Sequence, residues 1–432
     1  MPVRLNSTDK DFEKGFVELL GLKREVSADV DNAVRAIVDD VRARGDAALI
    51  DLSLKFDRID LRKTGLAVTE AEIEAAYAAC SQETLDALVL ARDRIADHHK
   101  RQLPSDDRYT DAAGVELGHR WTAVESVGLY VPGGLASYPS SVLMNAVPAQ
   151  VAGVPRIVMV VPCPSGELNP LVLAAAKIAG VSEIYRIGGA QAVAALAYGT
   201  ETIAPVVKIV GPGNAYVAAA KRQVFGQVGI DSIAGPSEVL VIADKHNDPD
   251  WIASDLLAQA EHDTAAQSIL MTDDEGFADA VEKAVRRQLE TLPRGNIAGE
   301  SWNAFGATII LRSLEEAVPL ADRVAAEHLE IATANAEDLA LRIRNAGAIF
   351  IGSVTPEVIG DYVSGSNHVL PTARSARFSS GLGVLDFMKR TSILKLDRGA
   401  LEKIGPAAMT LARAEGLEGH RRSVEIRLQK AG

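Results

Sequence analysis

The chain has 432 residues, of which 47% are hydrophobic and only 5% aromatic, and it carries a formal net charge of -13. That length exceeds what one core usually serves, so two or more globular units are expected. The negative balance, with basic residues scattered, argues against nucleic acid or an anionic membrane surface as the main partner. No early apolar run resembles a secretory signal, and no charge-free stretch reaches membrane-spanning length, so a soluble cytoplasmic protein is expected. Two cysteines, Cys80 and Cys163, are too few for a disulfide framework and lack metal-ligand spacing.

Residues 1 to about 125 read as mostly helical. Val30, Val34, Ile37 and Val41 fall at helical spacing within a helix expected over Val26 to Ala48. Thr69 opens another, with Glu72 placed to complete a capping box. From Val124 the pattern changes. Gly128 to Tyr130 reads as a strand running into the glycine turn at Gly133-Gly134. Strands are then expected at Arg156–Val161, Glu183–Ile187, Val206–Val210 and Glu238–Ala243. They alternate with helices at Leu171–Ala179, Gln191–Tyr198 and Ala215–Phe225. Apolar strands alternating with short helices imply a parallel sheet covered on both faces.

The same alternation returns further on, without convincing sequence repetition. Helices are expected at Trp251–Glu261, Glu275–Leu289 and Leu314–His328, the last boxed by Ser313 and Glu316. Strands are expected at Ser268–Met271, Ala307–Leu311 and Ala348–Gly352. After about residue 385 the sheet pattern stops, leaving an amphipathic helix over Ala400 to Glu415 and a short basic tail. The expected class is α/β, with two parallel-sheet Rossmann-like domains and helical N-terminal and C-terminal extensions. The expected division is a 1–25 extension, 26–127 with 240–385 as the first α/β domain, 128–239 as the second, and a 386–432 tail.

Three short stretches read as one metal site: Gln259-Ala-Glu-His262, Asp361 ahead of Ser364-Gly-Ser-Asn-His368, and Glu415-Gly-Leu-Glu-Gly-His420. Imidazoles with a carboxylate and an amide oxygen suit a borderline divalent ion such as zinc. The adjacent Glu327-His328 could supply general-base chemistry beside it. Taken singly, each is unspecific. Gln259 and His262, three apart on a helix, also fit a solvated polar face, and His420 beside Arg421 and Arg422 fits an ordinary surface residue. The turns Gly188-Gly-Ala-Gln191 and Gly211-Pro-Gly-Asn214 suit either phosphate binding or tight strand-to-helix packing. Neither cysteine has a histidine near it in sequence, so a covalent thiol mechanism has no support.

Together these segments closely resemble the histidinol dehydrogenase family over nearly the whole chain. The resemblance rests on Gly128-Leu-Tyr-Val-Pro-Gly-Gly134, Gly188-Gly-Ala-Gln191-Ala, Val210-Gly-Pro-Gly-Asn214 and Ala234-Gly-Pro-Ser237-Glu-Val. It rests also on Gln259-Ala-Glu-His262, Ala326-Glu-His328-Leu-Glu, Ser366-Asn-His-Val-Leu-Pro371 and Ala414-Glu-Gly-Leu417. It implies zinc held by Gln259, His262, Asp361 and His420, and acid-base roles for Glu327 and His328. It implies substrate contacts from Ser237, His328 and Glu415 besides the metal ligands, and NAD contacts from Tyr130, Gln191 and Asn214. The implied reaction takes L-histidinol through L-histidinaldehyde to L-histidine with two NAD reduced. On this reading His328, at its unperturbed pKa of ~6.5, takes the hydroxyl proton and Glu327 activates water. A homodimer with shared sites is implied, in which the tail completes the partner's site. Asp263 stands where many members carry glycine. A zinc-dependent NAD dehydrogenase of another small alcohol is the nearest alternative. A metal amidohydrolase and a non-catalytic binding protein are the others.

Overall fold

The structure, a computed structural model, describes residues 2–22, 28–133 and 138–429. The start of the Val26 helix and Gly134 of the glycine turn lie outside them.

Two parallel sheets form the frame, because the strands expected to be apolar on both faces are buried on both. One has five strands in the order Glu183–Tyr185, Ile157–Val160, Val127–Tyr130, Lys208–Val210, Gly229–Ile230. The other has six, in the order Val3–Asn6, Ala307–Ile310, Gln267–Thr272, Glu238–Ala243, His328–Ala332, Ala348–Ile351. Every pairing within both is parallel. Numbered in chain order from Val127 and from Glu238, each sheet runs 3-2-1-4-5, and Val3–Asn6 adds an edge strand to the second. The two units thus repeat one winding, although their sequences show no repeat.

Alternate residues of each strand divide the cores. In the five-stranded sheet, Val158 and Val160 pack with Val34, Val41 and Leu49, while Leu129 and Met159 pack with Ile73, Leu88 and Ile95. In the six-stranded sheet, Leu240 and Ile242 pack with Phe16 and Leu19, and Val239 and Val241 with Leu256 and Val281. Burying each such aliphatic side chain contributes roughly 1.5–3 kcal/mol.

Several expectations need correction. The helices Ala28–Arg44, Asp46–Phe56 and Gln82–Lys100 cover the five-stranded sheet, whereas residues 26–127 were grouped with 240–385. An apolar stripe marks a helix as covering a sheet but does not say which one. The N-terminal extension contributes a strand as well as the Phe12–Leu20 helix. Strand pairing does not stop near residue 385. Met388–Lys395 pairs antiparallel with Glu116–Ala123, which in turn pairs with Asp107–Thr110. This small sheet is largely solvated, so its strands lack the apolar run that marked the others. The tail is a helix pair, Arg398–Ala414 and Glu418–Gln429.

The Thr69–Glu72 capping box forms as expected. The Ser313–Glu316 box does not: Glu316 instead accepts from Ser7 Oγ at 2.6 Å and Arg312 Nε at 2.6 Å. The helix there ends at Val324 with Ala325 left-handed, and His328 begins a buried strand.

Candidate functional site

In a sheet wound 3-2-1-4-5, the first and fourth strands leave in opposite directions and open a crevice at their carboxyl ends. In the five-stranded sheet those ends are Tyr130 and Val210. The crevice continues into a cleft of about 710 Å³ whose opposite wall belongs to the six-stranded sheet. Tyr130, Gly213 and Asn214 face Ser237, His262, Glu327, His328, Asp361 and His368 across it. The second sheet presents its strand beginnings here: Ser237 precedes Glu238–Ala243, and Glu327 precedes His328–Ala332 beside it.

The turns at the crevice are rigid. Gly211 has φ +108°, and a Cβ there would stand 2.2 Å from the Tyr130 carbonyl oxygen, so only glycine fits. Asn214 caps the Ala215–Val224 helix, its Oδ1 accepting from the Tyr216 and Val217 amides at 3.0 and 3.2 Å. The Gly189 amide donates to the buried Tyr130 hydroxyl at 2.9 Å, and burial pushes that phenol up to about 12. Gln191 is buried in the first turn of the Gly189–Tyr198 helix, folded over Gly189, and does not line the cleft.

On the other wall, Glu327 is buried, accepting from the Glu238 amide at 3.2 Å and from the Ser237 hydroxyl. Burial pushes its carboxyl up to about 7, with His328 opposing. His328 lies among three carboxyls: Asp361 Oδ1 3.5 Å from Nε2, and Glu357 and Glu327 3.7 and 4.0 Å from Nδ1. Burial alone would lower the imidazole, but Glu357, Glu327 and Asp361 outweigh it and push it up to about 10. Its value of ~6.5 therefore does not hold beside these carboxylates. Glu357 is pushed up to about 8 by burial. For Asp361, burial is outweighed by His328, which holds the carboxyl below its ordinary value. The cluster as a whole keeps protons to higher pH than its members would apart.

Gln259 lies in the last turn of the Pro249–Ala260 helix, and His262 follows just past the helix instead of on its face. Gln259 is fully buried, yet neither its amide oxygen nor its nitrogen has a hydrogen-bond partner. Buried amides are rarely left so, and a bound metal would account for the orphaned oxygen. The surrounding protein lowers the His262 pKa, which keeps a ring lone pair free at neutral pH, and Asp361 is held ionised. An amide oxygen, a neutral imidazole and a carboxylate fit zinc. His420 does not join them. It and Glu415 are exposed on the C-terminal helix pair and do not line the cleft. Among the described residues, no three His, Cys, Asp or Glu side chains of this chain come together as a metal site.

The segment carrying Asp361, on the Glu357–Tyr362 helix, and His368 beyond it is anchored from the first sheet's helices. Arg94 donates to the Val363 and Ser364 carbonyls, and Asn367 Nδ2 donates to the Met144 carbonyl at 2.7 Å. His368 Nδ1 is 2.9 Å from the Asp361 carbonyl oxygen. Asp263 borders the cleft, but its carboxylate is engaged by the Ala265 amide at 2.8 Å. Glu357 was absent from the expected site, although its spacing of four from Asp361 places both on one helix face.

The match to known proteins is extensive. The family model "Histidinol dehydrogenase" covers residues 22–428. A histidinol dehydrogenase of Brucella suis biovar 1 (strain 1330) is 72% identical over 99% of this chain and 100% of its own. One from Rhizobium meliloti (strain 1021) is 70% identical over 99% of each. The crystal structure of histidinol dehydrogenase from Elizabethkingia anophelis superposes with a TM-score of 0.94 at 37% identity, covering 99% of this chain and 98% of that one. With a cleft at the first sheet's switch point faced by a buried Glu-His pair, and with matches of this extent, the chain belongs to the histidinol dehydrogenase family.

Proposed function

We propose that the cleft oxidises L-histidinol to L-histidinaldehyde and then to L-histidine, with two NAD reduced in succession. The observation that carries this reading is the buried Glu327-His328 pair facing a nucleotide-type crevice across one cleft. Gln259, His262 and Asp361 hold zinc, with His420 of the partner subunit as fourth ligand in a homodimer. Zinc, when bound, supplies a Lewis-acidic centre that orients the substrate's nitrogen and oxygen donors. NAD, when bound against Tyr130 and Asn214, with Gln191 buried over the Gly189 turn, would supply the hydride acceptor.

His328 takes the hydroxyl proton of the alcohol in the first oxidation. It must first give up the proton that the surrounding carboxylates stabilise, so positive charge brought to Asp361 favours the basic form. Glu327, beside it and hydrogen-bonded to Ser237, removes a proton from the water that adds to the aldehyde. Ser237 and Glu415 contact substrate. Residues 128–239 form the cofactor side and 240–385 the metal and base side. The 386–432 segment completes the partner's site. Leu411 and Leu417, beside Glu415 and His420, are 63% and 42% exposed, an apolar face suited to a second copy. The enzyme acts in the cytoplasm, without nucleic acid or membrane. Both cysteines are free, and among the described residues no helix is long and apolar enough to cross a membrane.

The test is an assay of zinc-loaded protein with L-histidinol and NAD. Two reduced nicotinamides per histidinol are expected. One equivalent with accumulating aldehyde, or activity equal on unrelated small alcohols, would contradict the reading.

A further inference from the structure

Lys221 and Asp231 are an ion pair buried to 2% and 5% side-chain exposure, ten residues apart at the edge of the cleft. Both close on one residue. Asp231 Oδ2 accepts from the Gly211 amide at 2.8 Å, and Lys221 Nζ donates to the Gly211 carbonyl at 3.1 Å. Asp231 Oδ1 also accepts from the Ser232 amide at 2.6 Å. Gly211 is the left-handed residue wedged against the Tyr130 carbonyl, and it opens the turn that Asn214 closes. The pair therefore secures one end of that turn, and the Asn214 cap secures the other.

We propose that Lys221 and Asp231 are positioning residues for the NAD-binding turn, an inference that rests on the cofactor reading above. The lysine is not placed as a charge for the cofactor's phosphates, because Asp231 neutralises it and its tip is spent on Gly211. Nor does stability explain the pair well. Replacing a buried ion pair by uncharged side chains of similar volume is often neutral or stabilising, so this pair is better explained by the geometry it imposes. By holding both polar groups of Gly211, it keeps the following amides aimed at the crevice before the cofactor arrives, which lowers the ordering cost of binding.

The test uses the zinc-loaded enzyme and measures both KM values, kcat at saturation, NADH affinity by fluorescence titration, and Tm. Lys221→Met/Asp231→Asn removes both charges together. It should raise the NAD KM and the NADH Kd roughly ten-fold, the order of one lost hydrogen bond to a charged group. Histidinol KM and saturated kcat should stay within about two-fold, since the substrate wall is untouched. Lys221→Arg, which keeps charge and donors, should restore most of the NAD affinity. If the double variant does not fold, Asp231→Glu, which keeps both charges but displaces the carboxylate from the Gly211 amide, is measured, with the same direction expected. A folded variant with unchanged NAD constants would overturn the proposal, as would equal loss in both KM values and kcat. Asn214→Ala separates the causes. If it weakens NAD binding while the pair variants do not, the clamp alone is wrong. If neither weakens it, the turn is not the cofactor site.

Discussion

The proton-holding cluster around His328 makes the sharpest demands on experiment. His328→Asn should abolish alcohol oxidation, and Glu327→Gln should spare the alcohol step more than aldehyde oxidation, measured with each compound separately. Equal loss of both steps in both variants would contradict that division. The pH dependence of stability follows from the same groups. His328, Glu327 and Glu357 all have folded-state pKa values above their unfolded ones, at about 10, 7 and 8. A folded state that binds more protons than the unfolded one loses stability as pH rises. His262 and His368 are shifted the other way, but their contribution is complete above the unfolded value of ~6.5. Metal-stripped protein should therefore lose stability steadily from about pH 6.5 to about pH 10, read by urea unfolding, and Glu357→Gln should flatten part of that slope. A rise over this range would refute the cluster's assignment. The cysteines should be dispensable: burial pushes Cys163 up to about 11, and neither lines the cleft. Cys80→Ala with Cys163→Ala should keep most of both activities. Selective loss of aldehyde oxidation in the folded double variant would revive a thiol intermediate.

Local signals set the elements well where the chain itself satisfies them, and poorly where a distant partner does. Thr69→Ala should cost about 1 kcal/mol, because it removes a cap that is made. Ser313→Ala should be near neutral in the same denaturant titration, because Ser313 caps nothing. A cost at Ser313 matching that at Thr69 would mean the box forms after all. The spacing at Ser313 and Glu316 was legible, but Ser7 competes for the carboxylate from over 300 residues away. Most apolar strands from Val127 to Ile351, His328–Ala332 excepted, were legible because burial on both faces leaves a continuous signature. The Met388–Lys395 strand was not, because its pattern of exposed Lys389, Arg390 and Thr391 is that of a solvated ribbon. The Glu327-His328 pair was found as chemistry, yet placed on a helix. The turn after Val324, with Ala325 left-handed, carries no glycine to announce it.

Across the molecule, one winding is used twice with opposite ends turned to the cleft. The first sheet offers its carboxyl-end crevice, and the second offers the strand beginnings that carry Ser237 and Glu327-His328. At the second sheet's own switch point Asp244, just past the Glu238–Ala243 strand, accepts from the Ala334 and His246 amides at 2.7 and 3.0 Å. The proposed zinc site takes its fourth ligand from the partner's tail, and among the described residues His420 stands exposed beside the exposed Leu411 and Leu417. Co-expression of His262→Ala and His420→Ala tests that arrangement most directly. In a two-fold dimer whose tails serve the partner's site, each mixed dimer has one site with both lesions and one with neither. With random pairing, roughly a quarter of all sites should recover histidinol-dependent NAD reduction and bound zinc. Verified mixed dimers that recover neither would show that His420 does not act across the dimer.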